Sequence, residues 1–286
     1  MPAAIKSLAQ QAHGYRRDIS TARRSRDWVN LACGLSNLAD VQRRRSKVKE
    51  AISLVREALA VSRRVKDRQE ESHALCVRGL IENTRDRPLQ AFKWHMRAIN
   101  IDSDLGSLLD IAIHINHIAI TEHALDMVED AMSSYRFALR VQRHLRDKEG
   151  IADVLGNMAS LELDRGRPKT ALRLQRKALA LHRKHGEPVD VAIDFSVLSD
   201  IQYAMGNLRL ADQYAHKALA LRLRLGNPTG IAESLRDLAY IARDRKDWGL
   251  SKRLALRAAA WYKKASLPID SKNIRRFAET VTPPTP

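Results

Sequence analysis

Apolar and small residues in this chain recur at helical spacing, and the pattern itself returns every 40 residues. Leu155, Met158, Ala159 and Glu162 stand at i, i+3, i+4 and i+7, and Ala171, Leu174, Ala178 and Leu181 repeat that spacing soon after. Each run therefore presents one packing stripe on a helix. Between them Gly166-Arg167-Pro168 stops one helix and starts the next, and Gly206-Asn207 does so one unit later. Units are separated by Gly186-Glu187-Pro188, Gly226-Asn227-Pro228 and Ser266-Leu267-Pro268. Glycine suits the left-handed residue after a helix end, and proline suits the first turn of the next helix. No period-two alternation persists, and glycine and proline keep to the joints, so strands are not expected.

Three phase-locked series of small residues run through these helices. Ala51, Ala91, Ala131, Ala171, Ala211 and Ser251 form one, and Ala58, Ala98, Ala138, Ala178, Ala218 and Ala258 follow seven residues behind. Ala39, Gly79, Ala119, Ala159, Ser199 and Ala239 run twelve residues ahead of the first. Larger apolar residues keep the same phase, as in Leu35, Leu75, Ile115, Leu155, Phe195 and Leu235. Helix backbones that cross closely leave room for little more than a methyl group, and the flanks take the bulk. A period of this length predicts stacked units, each burying its apolar face against its neighbours.

The pattern resembles the tetratricopeptide repeat, in which a large residue and a Leu-Gly-like pair in the first helix precede two alanines in the second. Leu155, Met158-Ala159, Gly166, Ala171 and Ala178 stand at the matching places, and the resemblance covers about residues 28–267. The 40-residue unit is closer to the variety found in kinesin light chains and in many bacterial regulators and adaptors than to the usual 34 residues. Departures are Glu122, Glu162 and Gln202, where an aromatic residue is common, and Arg78 at an apolar position, which makes unit two locally irregular. The resemblance implies an all-α, right-handed solenoid of six helix-turn-helix repeats over residues 28–267. Residues 1–27 are expected to form an N-terminal capping helix, and residues 268–280 a C-terminal one begun by Asp270 or Ser271. A proline-rich, disordered tail is expected over 281–286.

Charge divides the chain. Residues 1–67 carry 15 basic and 6 acidic side chains, residues 68–164 carry 11 and 16, and residues 165–286 carry 24 and 11, within a net charge of +17. A nucleic-acid channel along the whole length would not change sign in the middle. The resemblance puts second helices on the convex side, so Arg173, Arg176, Lys177, Lys184, Arg224, Lys252 and Arg253 are expected on a basic outer surface. That surface suits an acidic protein or nucleic acid, or serves solubility alone.

The stripe opposite the packing face of each first helix falls, by the same resemblance, on the concave wall. It carries Asn37 and Asp40; Val77 and Leu80; Asn116, His117 and Ile120; Asn157; Asp200 and Tyr203; and Arg236, Tyr240 and Arg243. Apolar side chains mixed with amides suit an extended peptide or a helix, because an amide both donates to and accepts from a backbone. His114 and His117 share a helix face, but two ligands do not make a metal site and His123 points elsewhere. These histidines are expected at the surface or in the groove, and neither a metal nor another cofactor is expected. Cys33 and Cys76, the two cysteines of the chain, are expected as packing thiols in a reducing, cytoplasmic setting. No apolar run reaches ~20 residues, the N-terminus lacks a secretory core, and no phosphate loop or nucleophile elbow occurs. The sequence therefore points to a non-enzymatic adaptor or regulator that holds a protein segment in its groove. The alternative is a nucleic-acid-associated factor that uses the basic surfaces.

Overall fold

The computed structural model describes residues 6–282, and all regular structure among them is α-helical. The chain divides into two compact units, one from Leu8 to Leu161 and one from Glu162 onward. The first unit holds α1 (Leu8–Ser25), α2 (Trp28–Arg44), α3 (Val48–Val65), α4 (Arg68–Thr84), α5 (Pro88–Leu105), α6 (Leu108–Ala124) and α7 (Val128–His144). The boundary falls within α8 (Lys148–Asp164). The second unit holds α9 (Pro168–His185), α10 (Pro188–Ala204), α11 (Leu208–Leu225), α12 (Pro228–Asp244), α13 (Trp248–Lys264) and α14 (Pro268–Thr280).

The three small-residue series are the crossing points of these helices. All six alanines of the Ala58 series are fully buried, as are Ala51, Ala91, Ala131, Ala171, Ala211 and Ser251. Where serine replaces alanine it stays in the same slot and satisfies itself across the crossing. Ser199 Oγ donates to the carbonyl of Ala211 at 2.9 Å, Ser251 Oγ to that of Ala239 at 2.8 Å, and Ser271 Oγ to that of Ala259 at 2.9 Å. Ser271 is thus a buried crossing residue and not a cap; α14 begins at Pro268 with Leu267 at the N-cap position.

Helix ends follow a 20-residue rhythm that the glycines show only in part. Positive φ occurs at Arg26, Ser46, Lys66, Asp86, Gly106, Asp126, Arg146, Gly166, Gly206, Gly226, Lys246 and Ser266. After most of these the next N–H reaches back five residues, as from Lys47 to Gln42 O at 2.8 Å and from Asn207 to Gln202 O at 2.9 Å. That is the Schellman closure. Gly186 departs from expectation: it is extended, at φ −93° and ψ 176°.

The first and last helices, α1 and α14, each bury one face. On α1, Ala12 is fully buried and Leu8, Ile19 and Ala22 nearly so, while Arg16 pairs with Glu50 of α3 at 2.7 Å and Arg23 with Glu57. On α14, Ile274 and Ala278 are buried, and so is Val281, the first residue of the expected tail. Residues 1–5 and 283–286 lie outside the described residues. No helix among the described residues is long and apolar enough to cross a membrane.

Ser251 separates the two contributions at a crossing. Ser251→Ala removes one buried hydrogen bond and should lower unfolding free energy by about 1 kcal/mol. Ser251→Leu overpacks the crossing and should cost about 3 kcal/mol. Urea midpoints read both, and equal midpoints for the two variants would refute the close-crossing account.

Candidate functional site

In the first unit α4 lies between α2 and α6, so successive first helices adjoin. Side chains one repeat apart meet along this face. Asn157 Nδ2 donates to Asn116 Oδ1 at 3.0 Å, and Arg43 Nη1 reaches Thr84 Oγ1 at 3.5 Å. In the second unit Arg243 donates to the Tyr203 hydroxyl at 3.3 Å, and that hydroxyl bonds Asp244.

The expected groove residues divide on inspection of their surroundings. Val77 is 3% exposed and Asn116 5%, so both belong to the interior and not to a wall that meets a partner. Val77 belongs to the apolar cluster that includes Leu38 and Val41 of α2, and Asn116 is bonded by Asn157. Asn37, Leu80, His117, Ile120 and Asn157 are half-buried. Asn37 is already donating, to Cys33 Sγ at 3.4 Å. Asp40 is claimed by Arg43 and Arg44, each at 2.7 Å. Burial alone would raise its carboxyl, but these two guanidinium groups hold it below the usual range.

In the second unit the expected residues bind one another. Arg236 pairs with Asp237 at 2.9 Å and donates to the Tyr262 hydroxyl at 3.3 Å. Tyr240 meets Phe277 edge to face at 4.7 Å, with Arg243 over both rings. Asp200 keeps contact with water. Even so, desolvation against α12 and then the Asp237 carboxylate push its carboxyl up to about 7. Arg173, Arg176, Lys177, Lys184, Arg224, Lys252 and Arg253 are all exposed on α9, α11 and α13.

Between α4 and α6 the first-helix face opens into a recess of about 230 Å³. Gln69, Glu70, Ser72, His73 and Cys76 line it from α4, and Asp110, Ile113 and His114 from α6. Its polar rim is pre-set: His73 Nδ1 lies 3.5 Å from Glu70, and Ser107 Oγ donates to Asp110 at 2.5 Å. Two carboxylates, Glu70 and Asp110, thus share the recess with the apolar Ile113.

Adjoining the recess is a cluster in which one expectation fails, that of His114 at the surface or in the groove. His114 is buried and not a surface group: α5 packs against α6 and brings Asp102 to 2.8 Å from His114 Nε2, with Ser72 Oγ at 3.3 Å. His95, from α5, is fully buried and stacks on His117 at 5.1 Å between ring centroids. Ligand atoms of Cys76, His95 and His114 all lie within 4.8 Å of one another. Neither ring nitrogen of His95 has a hydrogen-bond partner, nor has His114 Nδ1. Burial pushes the Cys76 thiol up to about 12. Burial, then His117 and His114, push His95 down to about 2. Burial and His114 push His117 down to about 3, with Arg43 adding to this and Asp40 opposing.

The sequence profile of the tetratricopeptide repeat matches residues 30–104 and 110–184. The chain belongs to the tetratricopeptide repeat family. No curated protein matches it in sequence. Among solved structures, a Rap protein complexed with Competence and Sporulation Factor superposes with a TM-score of 0.74 at 13% identity, covering 96% of this chain and 82% of that one. NprR in complex with its cognate peptide NprX gives 0.63 at 16%, covering 79% and 68%. BtubC (BKLC) from P. vanneervenii gives 0.55 at 22%, covering 76% and 92%. At these identities the likeness is one of fold, an all-α repeat solenoid.

Within this tetratricopeptide repeat the cluster had one legible signal. Position 95 corresponds to Val55, Tyr135, Gln175, Ala215 and Ala255 at the same phase, so a histidine there stands in a core slot.

Acid should unfold the first unit through these rings. His95 and His117 stay neutral in the fold, whereas the unfolded chain protonates both below about 6.5. Stability is therefore complete above that pH and falls as pH drops toward 3. At pH 5 the loss from His95 alone is about 2 kcal/mol. Urea midpoints at pH 7.5 and 5 should differ less in His95→Gln than in the unsubstituted chain; equal differences would refute the assignment.

Proposed function

We propose that this tetratricopeptide repeat chain is a non-catalytic binding protein that takes a protein segment on its first-helix face, anchored in the recess between α4 and α6. One observation carries the reading: the apolar Ile113 shares the lining of the recess with two carboxylates, Glu70 and Asp110. A recess lined by an apolar residue and two carboxylates suits a side chain with an apolar stem and a cationic end, lysine or arginine, on an extended or helical segment. The surrounding charge agrees, since residues 68–164 hold 16 acidic against 11 basic side chains in a chain that is otherwise basic. Support by analogy comes from the Rap protein and NprR, one complexed with a factor and the other with a cognate peptide. The partner is thus sought among basic segments, and the wall that holds it is α4 and α6.

The test is selection of a displayed random-peptide library on the immobilised full chain, followed by fluorescence polarisation with the enriched sequences. Enriched peptides should carry Lys or Arg beside an apolar residue. Ile113→Glu should weaken them at least ~10-fold, the scale of one lost apolar anchor. Glu70→Gln with Asp110→Asn should weaken them and flatten the salt dependence. Enrichment of acidic peptides, or affinities indifferent to both variants, would overturn the reading.

A further inference from the structure

We propose that Cys76, His95 and His114 form a zinc site at the junction of α4, α5 and α6, with its fourth position open to the recess. The donor set is one thiolate and two imidazoles, which suits a tetrahedral Zn²⁺ holding three protein ligands. All three side chains are buried and their ligand atoms lie within 4.8 Å of one another. Around zinc such atoms stand ~3.5 Å apart, given bonds of 2.0–2.3 Å, so side-chain rotation of about an ångström closes the set.

Each donor has its lone pair unspent or releasable. His114 Nε2 faces Asp102 at 2.8 Å, leaving Nδ1 without a partner. A carboxylate behind a ligating histidine is the arrangement that fixes ring orientation in zinc sites. His95 keeps both nitrogens unpartnered at full burial, which leaves its hydrogen-bonding capacity unmet in the interior. Cys76 Sγ would release its proton to solvent as the metal–sulfur bond forms.

The chain carries its own comparison 80 residues further on. There Gln175, His182 and Asp194 stand at the positions of His95, Asp102 and His114. Gln175 Nε2 donates to Asp194 Oδ1 at 2.5 Å, and His182 Nδ1 lies 2.8 Å from Asp194 Oδ2. That junction closes on itself by hydrogen bonds. The junction of His95 does not, although space has been made for its ring: a Cβ at Gly79 would come within 2.5 Å of it. Gly79 is the one glycine in a series otherwise filled by alanine or serine.

The experiment uses the full chain, freed of metal by chelation and titrated with Co²⁺ and then Zn²⁺. Expected are one equivalent bound per chain, a thiolate-to-cobalt charge-transfer band, and displacement of that band by Zn²⁺. Cys76→Ser should abolish the band, and Asp102→Asn should weaken binding ~10–100-fold. His95→Gln installs the residue used at the second junction; it should keep the circular dichroism spectrum and lose stoichiometric binding. Absence of binding at one equivalent, cobalt bound without the thiolate band, or unchanged affinity in His95→Gln would each overturn the site. These readouts require no peptide, so they stand apart from the proposed binding function.

Discussion

Everything in this molecule depends on how near two helix backbones can come. At each crossing the contact is a methyl or hydroxymethyl group, or at Gly79 a bare Cα, and the three series of small residues mark where those contacts lie. A side chain of any greater size would hold the helices apart and remove the apolar flanks from one another, which is where the burial energy resides. Serine is admitted at Ser199, Ser251 and Ser271 because the carbonyl of the facing helix, twelve residues away, accepts its hydrogen. The crossing therefore selects by volume first and by polarity second.

Once the crossings are set, other positions inherit a 20-residue phase. Left-handed residues close most helices on that phase, and the side chain four residues before each is buried in every case but Glu122. Gln42, Ser62, Glu82, Asp102, Gln142, Glu162, Gln202 and Arg222 are all buried there despite being polar, and so is His182, four residues before the extended Gly186. Some of them find partners at the start of the next helix: Arg222 donates to Gly230 O at 2.9 Å and to Ser234 Oγ at 2.8 Å. Glu162 is held by Arg165 and Arg167. These junctions are polar seams in an otherwise apolar stack.

Helix type, order and crossings were legible in the chain because each rests on local spacing, 3.6 residues per turn within a helix and 40 between units. Non-glycine left-handed residues such as Lys66 and Arg146 were not, since nothing in their chemistry favours that conformation; the surrounding helix ends impose it. Side-chain surroundings were legible only where a neighbour one repeat away has the same phase. The groove stripe follows from helical angle and the family resemblance, neither of which reveals that Val77 is buried or that Arg236 and Arg243 are already engaged by Asp237, Asp244 and tyrosine hydroxyls. His95 escaped notice because it stands 19 residues from His114 on a second helix, and only the packing of α5 on α6 makes them neighbours.

Two junctions hold the same pair of chemistries in opposite order, Asp102 with His114 and His182 with Asp194. What the scaffold requires at such a place is complementarity across a twelve-residue span, with no preference for which helix supplies the acid. Changing either member alone strands an ionisable group in the dry interior; exchanging both leaves the bond intact. Substitutions at these paired positions should thus be inherited together, as a unit of two.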